Sequence, residues 1–452
     1  MPDFVPHTQH DIGEMLSFLG LESTEDLFAV VPPAIRLAGG LDLPMGISEA
    51  DVTEQLYSIG AMNASVGVGG SGLVCFAGGG SYDHEVPAVT RALAGRSEFV
   101  TAYTPYQPEV AQGVLQALFE YQTFNSRITG LEISNSSLYD GSAALVEGVN
   151  LAVAESGDSR VSVSSGVHPR WRGVLVTFAA GTGHQLEVVP LNNGLTDWAS
   201  VEGTNAGCVV VGYPNYLGAI ESLSSARELA DRLGALLVVC QDPVAAGLLK
   251  SPGELGADVV VGEAQAFGTA LSFGGPYLGF FACHHRLVRR LPGRLVGETV
   301  DLDDKRSYVT TLRAREQDIR REKASSNVCT NETLMAVTAA IQLGWLGTQG
   351  IREIALAGAR AARYGLQRLT EIPGVQPSCT APIFREFSVK LPIPASLAID
   401  RLLDEGYLAG IALLDGFEGT PYEGDLLIAF TERRTKSEID SFADALTKVI
   451  TR

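Results

Sequence analysis

Residues 258–268, Asp258-Val-Val-Val-Gly-Glu-Ala-Gln-Ala-Phe-Gly268, run through a short link into Leu271-Ser-Phe-Gly-Gly-Pro-Tyr-Leu-Gly-Phe-Phe281. The two apolar runs are of strand length, rich in Val and Phe, and divided by a Gly-Gly-Pro turn. Neither run alternates polar with apolar residues, so each strand is buried on both faces, as in a sheet covered by helices on both sides. Working outward, the same texture recurs at Leu131–Ser134, Arg160–Ser164, Leu186–Val189, Cys208–Gly212, Ala235–Cys240, Ala257–Val261 and Leu278–Cys283. Helical patterns such as Ala143–Ala154 and Glu221–Leu233 separate several of these runs. Apolar strands alternating with helices predict an α/β fold with a mostly parallel sheet.

Towards the N-terminus, residues 1–60 read as short helices. Ser48 and Asp51 suit the start of a helix ending at Gly60, and Pro32-Pro33 closes an earlier one. Pro108 and Glu109 predict the start of a helix with Val114, Leu118 and Tyr121 inward. Beyond residue 330, Leu334, Val337, Ile341 and Trp345 mark a long helix, and a second runs from Ile351 to Leu369. Strands follow near Phe384–Leu391 and Leu426–Thr431. A last helix is capped by Thr435 and Glu438, with Ile439, Phe442, Leu446 and Ile450 inward. The expected organisation is a helical segment over 1–60, a large α/β domain over 61–330, and helices with a small α/β domain over 331–452.

The chain has 452 residues, 46% hydrophobic and 19% charged, with a mean hydropathy of +0.15, so it has material for a large core. A net charge of −19 argues against nucleic acid or an anionic membrane surface as partner. The exception, Arg313 to Lys323, interleaves Glu316, Asp318 and Glu322 and predicts a solvated or interface helix. Six cysteines lack CxxC spacing, and those in apolar strands (Cys208, Cys240, Cys283) predict buried thiols in a reducing compartment. The first residues resemble neither a signal nor a transit peptide, and no apolar run reaches membrane-spanning length; a cytoplasmic location is expected.

Several residues are candidates for a site. Asp242 follows the strand Ala235–Gln241, where a carboxylate points into the ligand crevice of a parallel sheet. Pro243 beside it makes a helix N-cap an equal alternative. The stretch Ser134-Asn-Ser-Ser-Leu-Tyr-Asp140 leads from strand to helix and suits either a phosphate on free N–H groups or an ordinary cap. His168, before Pro169, could stack on a planar ligand or simply be hydrogen-bonded. Tyr103-Thr-Pro-Tyr-Gln107 is a stiff loop presenting polar tips, suited to a site rim or an interface. Gly67-Val-Gly-Gly-Ser-Gly72 matches a dinucleotide fingerprint literally but lacks the preceding strand and following helix, so it reads as a loop. His284-His285 has no partner at metal-ligand spacing, so no metal is expected.

Six lysines serve the whole chain; the first is Lys250, and none lies in the 258–281 stretch. The order of motifs resembles the P-protein family of the glycine cleavage system, glycine dehydrogenase (decarboxylating), in its α-subunit (subunit 1) branch. The resemblance rests on Pro6-His-Thr, Gly80-Ser-Tyr-Asp-His84, Tyr103–Gln107, Ser137-Leu-Tyr-Asp-Gly141, Leu271–Phe281, Arg315–Ala324 and Ser326-Asn-Val-Cys-Thr-Asn331, and covers almost the whole chain.

It implies a pyridoxal-phosphate (PLP) transferase fold of type I and a β subunit as partner in an α2β2 assembly. It also implies an activity in which glycine is decarboxylated on PLP and its aminomethyl group passes to the lipoyl arm of the H-protein. The PLP-bearing lysine of such enzymes belongs to the β subunit; here Gln265 takes its place, so this chain is not expected to act alone. Asp140, His168, Asp242 and Gln265 are then a vestigial cofactor pocket. Tyr103, Tyr106, Gln107 and Asn327 are expected to line the partner's active site. Two alternatives are a purely structural subunit and a stand-alone PLP lyase using Lys250, the one lysine near Asp242.

Overall fold

The computed structural model describes residues 6–37, 41–67 and 72–452, which divide into two compact units, Met1–Ala64 and Ser65–Arg452. The first unit holds two helices, Gln9–Leu19 and Glu49–Gly60. Thr8 and Asp11 form a reciprocal capping box on one, and Ser48 caps the other by accepting from the Asp51 amide. Neither helix has a buried residue.

The second unit is built on a seven-stranded sheet in the spatial order Ile133–Ser134, Gly279–Cys283, Val259–Glu263, Leu236–Gln241, Cys208–Tyr213, Arg160–Ser164, Gln185–Val189. All seven predicted strands are present, within two residues at either end. Gly279–Cys283 alone runs antiparallel to its neighbours. The rest of the sheet is parallel, and its central strands are the unbroken apolar runs expected of strands covered on both faces.

Alternation along these strands feeds two cores. Val209, Val211, Leu237, Val239 and Val260 face one side with Leu115 and Leu118 of the helix Gln112–Thr129 and Leu229 of Leu223–Leu233. Cys208, Val210, Val238, Cys240, Val259 and Val261 face the other, under Leu145 and Val149 of Gly141–Ser156 and Leu175 of Pro169–Thr182. Each fully buried aliphatic side chain stabilises this arrangement by about 1.5–3 kcal/mol. A Cβ on Gly148 would lie 3.3 Å from both Val238 and Val261, so glycine there lets the helix sit close on the sheet.

The long helical stretch Thr333–Thr370 breaks at Gly347 (φ 58°, ψ −175°), giving the two helices that the sequence predicts. Its first part packs Ala336, Ala339 and Leu343 on the large core. Its second part packs Ala362 and Leu369 on a third core with Phe387, Ile428, Phe430 and Phe442. That core belongs to a four-stranded antiparallel sheet that includes Glu386–Lys390 and Leu426–Ala429, closed by the helix Lys436–Ile450 with its Thr435–Glu438 capping box. Phe76 joins it from far upstream, stacked on Phe442 at 4.3 Å, and Val74–Cys75 pairs in parallel with Tyr407–Leu408.

Three expectations are corrected. The helix expected from Pro108 begins only at Gln112; Pro108–Val110 is a separate 3-10 turn, because the Gln112 side chain donates to both Pro108 O and Tyr308 O and ties that turn to a hairpin. The helix for which Asp242 could be the N-cap is only a 3-10 turn, Pro243–Gly247, that ends before Lys250. Arg313–Lys323 is not one helix but three short turns, since Leu312 and Arg321 both take φ 54° and Arg315 is drawn inward to Leu291 O. The glycine-rich string at 67–72 lies largely outside the described residues. Its ends meet where Leu73 N donates to Ser65 O and Gly67 N to Leu73 O. Among the described residues no helix is long and apolar enough to cross a membrane.

Candidate active-site crevice

At the C-terminal ends of the parallel strands the chain forms a crevice, the place where open α/β sheets hold ligands. Four sequence candidates meet there. His168, Asp242 and Gln265 line its inner cavity, and Asp140 lines the outer hollow with His168. Tyr103, Tyr106, Gln107 and Asn327 do not line it. The loop 103–107 is held instead by Arg294, which donates to Thr104 Oγ1 and Cys329 O and stands 5.2 Å over the Tyr106 ring. Tyr103 and Tyr106 are exposed, and Asn327, two residues before Cys329, is exposed as well. Lys250 is exposed and lines neither part of the crevice; Leu249 and Ser251 beside it line a separate hollow at the Gly347 break.

Asp242 fills both roles weighed for it. Its Oδ1 accepts from Val244 N at 3.0 Å as an N-cap, and its Oδ2 accepts from Arg385 Nε at 2.7 Å. Arg385 is buried, arrives from the loop before the strand Glu386–Lys390, and lies 3.7 Å over the Tyr82 ring. Burial opposes its charge, but Asp242 and neighbouring acids outweigh that and hold its pKa above the ordinary value. Its Nη1 also meets His84 Nε2. Arginine has only protons to give, so that ring nitrogen accepts, and His84 Nδ1 donates to Glu432 at 2.8 Å.

Gln265 is almost fully buried and its amide is fully used. Oε1 accepts from Tyr82 N at 3.0 Å, while Nε2 donates to Tyr82 O at 3.1 Å and Thr269 O at 2.7 Å. The Tyr82 hydroxyl donates to Glu386 Oε2 at 2.9 Å, and Gly79 N donates to Glu386 Oε1 at 2.6 Å.

The helix Gly141–Ser156 opens at the crevice, but carboxylates already occupy two of its first amides. Asp140 Oδ1 accepts from Ala143 N at 2.7 Å and from Ser142 Oγ at 2.6 Å, and Glu263 Oε2 accepts from Gly141 N at 3.0 Å. Glu263 Oε1 also accepts from Leu278 N and Gln265 N. Burial raises the pKa of Glu263 to about 7 and that of Glu386 to about 7. His168 caps its helix, accepting at Nδ1 from Arg170 N at 3.1 Å. Its ring lies parallel to Trp171 and 4.8 Å from Tyr216, and burial lowers its pKa to about 4.

Tyr82, Glu263, Arg385 and Glu386 carry this crevice as much as the residues singled out from sequence. For the charged three, the signal was charge inside or beside apolar strands: Glu263 closes Val259-Val-Val-Gly, and Arg385-Glu386 is flanked by Phe384 and Phe387.

The side chains do not fit PLP. An imine needs a lysine, none lines the crevice among the described residues, and the Gln265 side chain there is a committed amide. The acid that would face a pyridine nitrogen is bound to Arg385. The helix N-terminus that would cradle a phosphate faces two carboxylates. The inner cavity, beside Asp242 and Gln265, has about 80 Å³, against roughly 300–1,000 Å³ for pockets that enclose ligands of drug size; the larger space, about 650 Å³, lies outside it and is not lined by Asp242 or Gln265.

Comparison with known proteins agrees with the architecture. The glycine cleavage system P-protein family matches residues 2–446. A protein of Desulforamulus reducens named probable glycine dehydrogenase (decarboxylating) subunit 1 is 41% identical over 98% of this chain and 99% of its own length. A Geobacillus kaustophilus protein of the same name is 43% identical over 98% of each chain. The crystal structure of a glycine decarboxylase (P-protein) of the glycine cleavage system, in inhibitor-bound form, superposes with a TM-score of 0.90, is 45% identical, and covers 99% of this chain and 100% of its own. A Thermococcus onnurineus NA1 cysteine desulfurase, 15% identical with a TM-score of 0.62 over 90% of this chain and 100% of its own, shares the fold alone. The large domain thus has the fold type I architecture of PLP-dependent enzymes. Matched along nearly its whole length, the chain belongs to the glycine cleavage system P-protein family, in the branch whose members are named subunit 1.

Proposed function

We propose that this chain is the lysine-free α subunit of a two-subunit glycine decarboxylase. It works in the bacterial cytoplasm as an α2β2 assembly whose PLP is held covalently by the β subunit. There glycine loses CO2, and its aminomethyl group goes to the lipoyl arm of the H-protein. PLP supplies an electron sink for that decarboxylation. This chain's part is to complete the partner's site and exclude water from it, through Tyr103, Tyr106, Gln107 and Asn327. The loop 103–107 suits that work, because Arg294 fixes its base while both tyrosine tips stay free.

The observation that carries this reading is Gln265. A neutral amide with three hydrogen bonds stands where the family resemblance expects the lysine, and no lysine lines the crevice among the described residues. Borohydride reduction with PLP, followed by peptide mass spectrometry on this chain alone and then with its β partner, tests it. Reduced PLP is expected only on a partner lysine. A label on any lysine of this chain, Lys250 above all, would overturn the assignment and make the chain an enzyme by itself.

A further inference from the structure

The segment Gly78–His84 occupies the crevice as a ligand would. Its three glycines press against the walls. A Cβ on Gly78 would stand 2.4 Å from Glu386 Oε1, one on Gly79 2.7 Å from the Tyr216 hydroxyl, and one on Gly80 2.8 Å from His168. Gly79 and Gly80 also take φ of 69° and 105°, conformations open to glycine and strained for other residues. Behind them Tyr82 is fastened at every polar atom it has. Gln265 holds both its amide and its carbonyl, Glu386 takes its hydroxyl, and Arg385 covers its ring. Asp83 then pairs with Arg433 and Arg434, and Thr431 Oγ1 donates to Asp83 O at 2.7 Å. Upstream, Phe76 O accepts from Ala429 N. The segment is therefore part of the C-terminal core at both ends and is inserted into the crevice of the large sheet in its middle.

We infer that the ancestral cofactor site has become a socket for this internal segment, with Gln265 as its clamp. The replacement of a lysine by glutamine is then one piece of a rebuilt site. An amide can donate to a carbonyl and accept from an N–H of the same residue at once, at any pH and without charge, which a lysine cannot. Asp242 and Arg385 satisfy each other, Glu263 and Asp140 take the Gly141 and Ala143 amides at the helix N-terminus, and the inner cavity has room for a few waters. What remains open is the hollow outside the segment, about 650 Å³, lined by Gly78–Ser81, Arg170, Tyr277 and Leu413–Asp415. The socket takes no PLP and no amino acid. It joins the C-terminal sheet to the large sheet, so that this subunit offers its partner a fixed face.

This deepens the proposed division of labour, and its test is separable from that one. Gln265→Lys is placed in the full complex with the β partner, supplied with PLP and reduced with borohydride. The partner's label is expected unchanged, with none at residue 265 and no added imine absorbance; a labelled Lys at 265 would show that the pocket is open and sink the inference. Gln265→Ala guards against a variant that does not assemble. Hydrogen exchange at the Tyr82 amide, which Gln265 protects directly, should rise at least tenfold while the strand Cys208–Tyr213 is unchanged. An unchanged Tyr82 rate would show that Gln265 clamps nothing. A PLP label on a lysine of the wild-type chain would instead defeat the proposed function and leave the socket to be judged by the Tyr82 exchange.

Discussion

Tyr106 is the residue on which an active-site role for this chain turns. Its ring is steadied by the Arg294 guanidinium, yet the side chain remains 57% exposed, an arrangement that fixes a hydroxyl without burying it. Removing only that hydroxyl leaves the cation–π contact intact. Tyr106→Phe should therefore lower the turnover of the assembled enzyme by about tenfold, or about 1.4 kcal/mol of barrier, with the complex intact on size exclusion. Unchanged turnover would favour the purely structural subunit. Asp242 teaches a different lesson at this scale. The two roles it could have had were compatible, because a carboxylate has two oxygens: one caps the turn and the other holds Arg385. Sequence can place such an acid at a strand end; it cannot show that an arginine 143 residues away has taken the oxygen a ligand would need.

Elements were the most legible level, and the reason is periodicity. The strands Cys208–Tyr213, Leu236–Gln241, Val259–Glu263 and Gly279–Cys283 at the middle of the large sheet are apolar runs whose alternate residues serve opposite cores, a pattern written in local sequence. Two of the misread elements share another cause, which is side-chain to backbone bonding across the fold: Gln112 reaches Tyr308 O and Arg315 reaches Leu291 O. Gln112 pre-empts the helix expected from Pro108 by reaching Tyr308, 196 residues on. Gln122 does the same kind of work one face further along its helix. It donates to Val296 O and accepts from Val296 N, both at 2.9 Å, and so seals the edge of the hairpin Leu295–Val300/Arg306–Thr311 near its base. Gln122→Ala leaves a buried amide and carbonyl without partners, at about 1–3 kcal/mol for each unsatisfied group. Denaturant unfolding should show a loss of about 2–4 kcal/mol on that account, with faster exchange at the Val296 amide. A loss within 0.5 kcal/mol, the usual range of a neutral surface change, would mean that water replaces the glutamine.

Across the whole molecule, Glu147, Glu263 and Glu386 are buried acids whose pKa burial raises to about 7. An unfolded glutamate ionises near 4.3. Between that value and about 7 the folded chain binds more protons than the unfolded chain, so stability falls as pH rises through this window. Below it all three are protonated in both states and carry no cost; above it the full cost is present. This is the reverse of ordinary acid denaturation, and the net charge of −19 adds to it, since protonation also relieves self-repulsion. Glu386 separates the specific effect from the general one. Its oxygens accept from Gly79 N and the Tyr82 hydroxyl, contacts that Glu386→Gln can keep if the Tyr82 hydroxyl turns to accept. In wild-type protein, urea unfolding between pH 5 and 7 should show stability rising as pH falls. In Glu386→Gln that slope should shrink by about 1 kcal/mol per pH unit, near the 1.4 kcal/mol limit for one proton, because the variant has no proton to lose there. An identical slope in the two proteins would mean that Glu386 ionises as freely inside the crevice as in the unfolded chain.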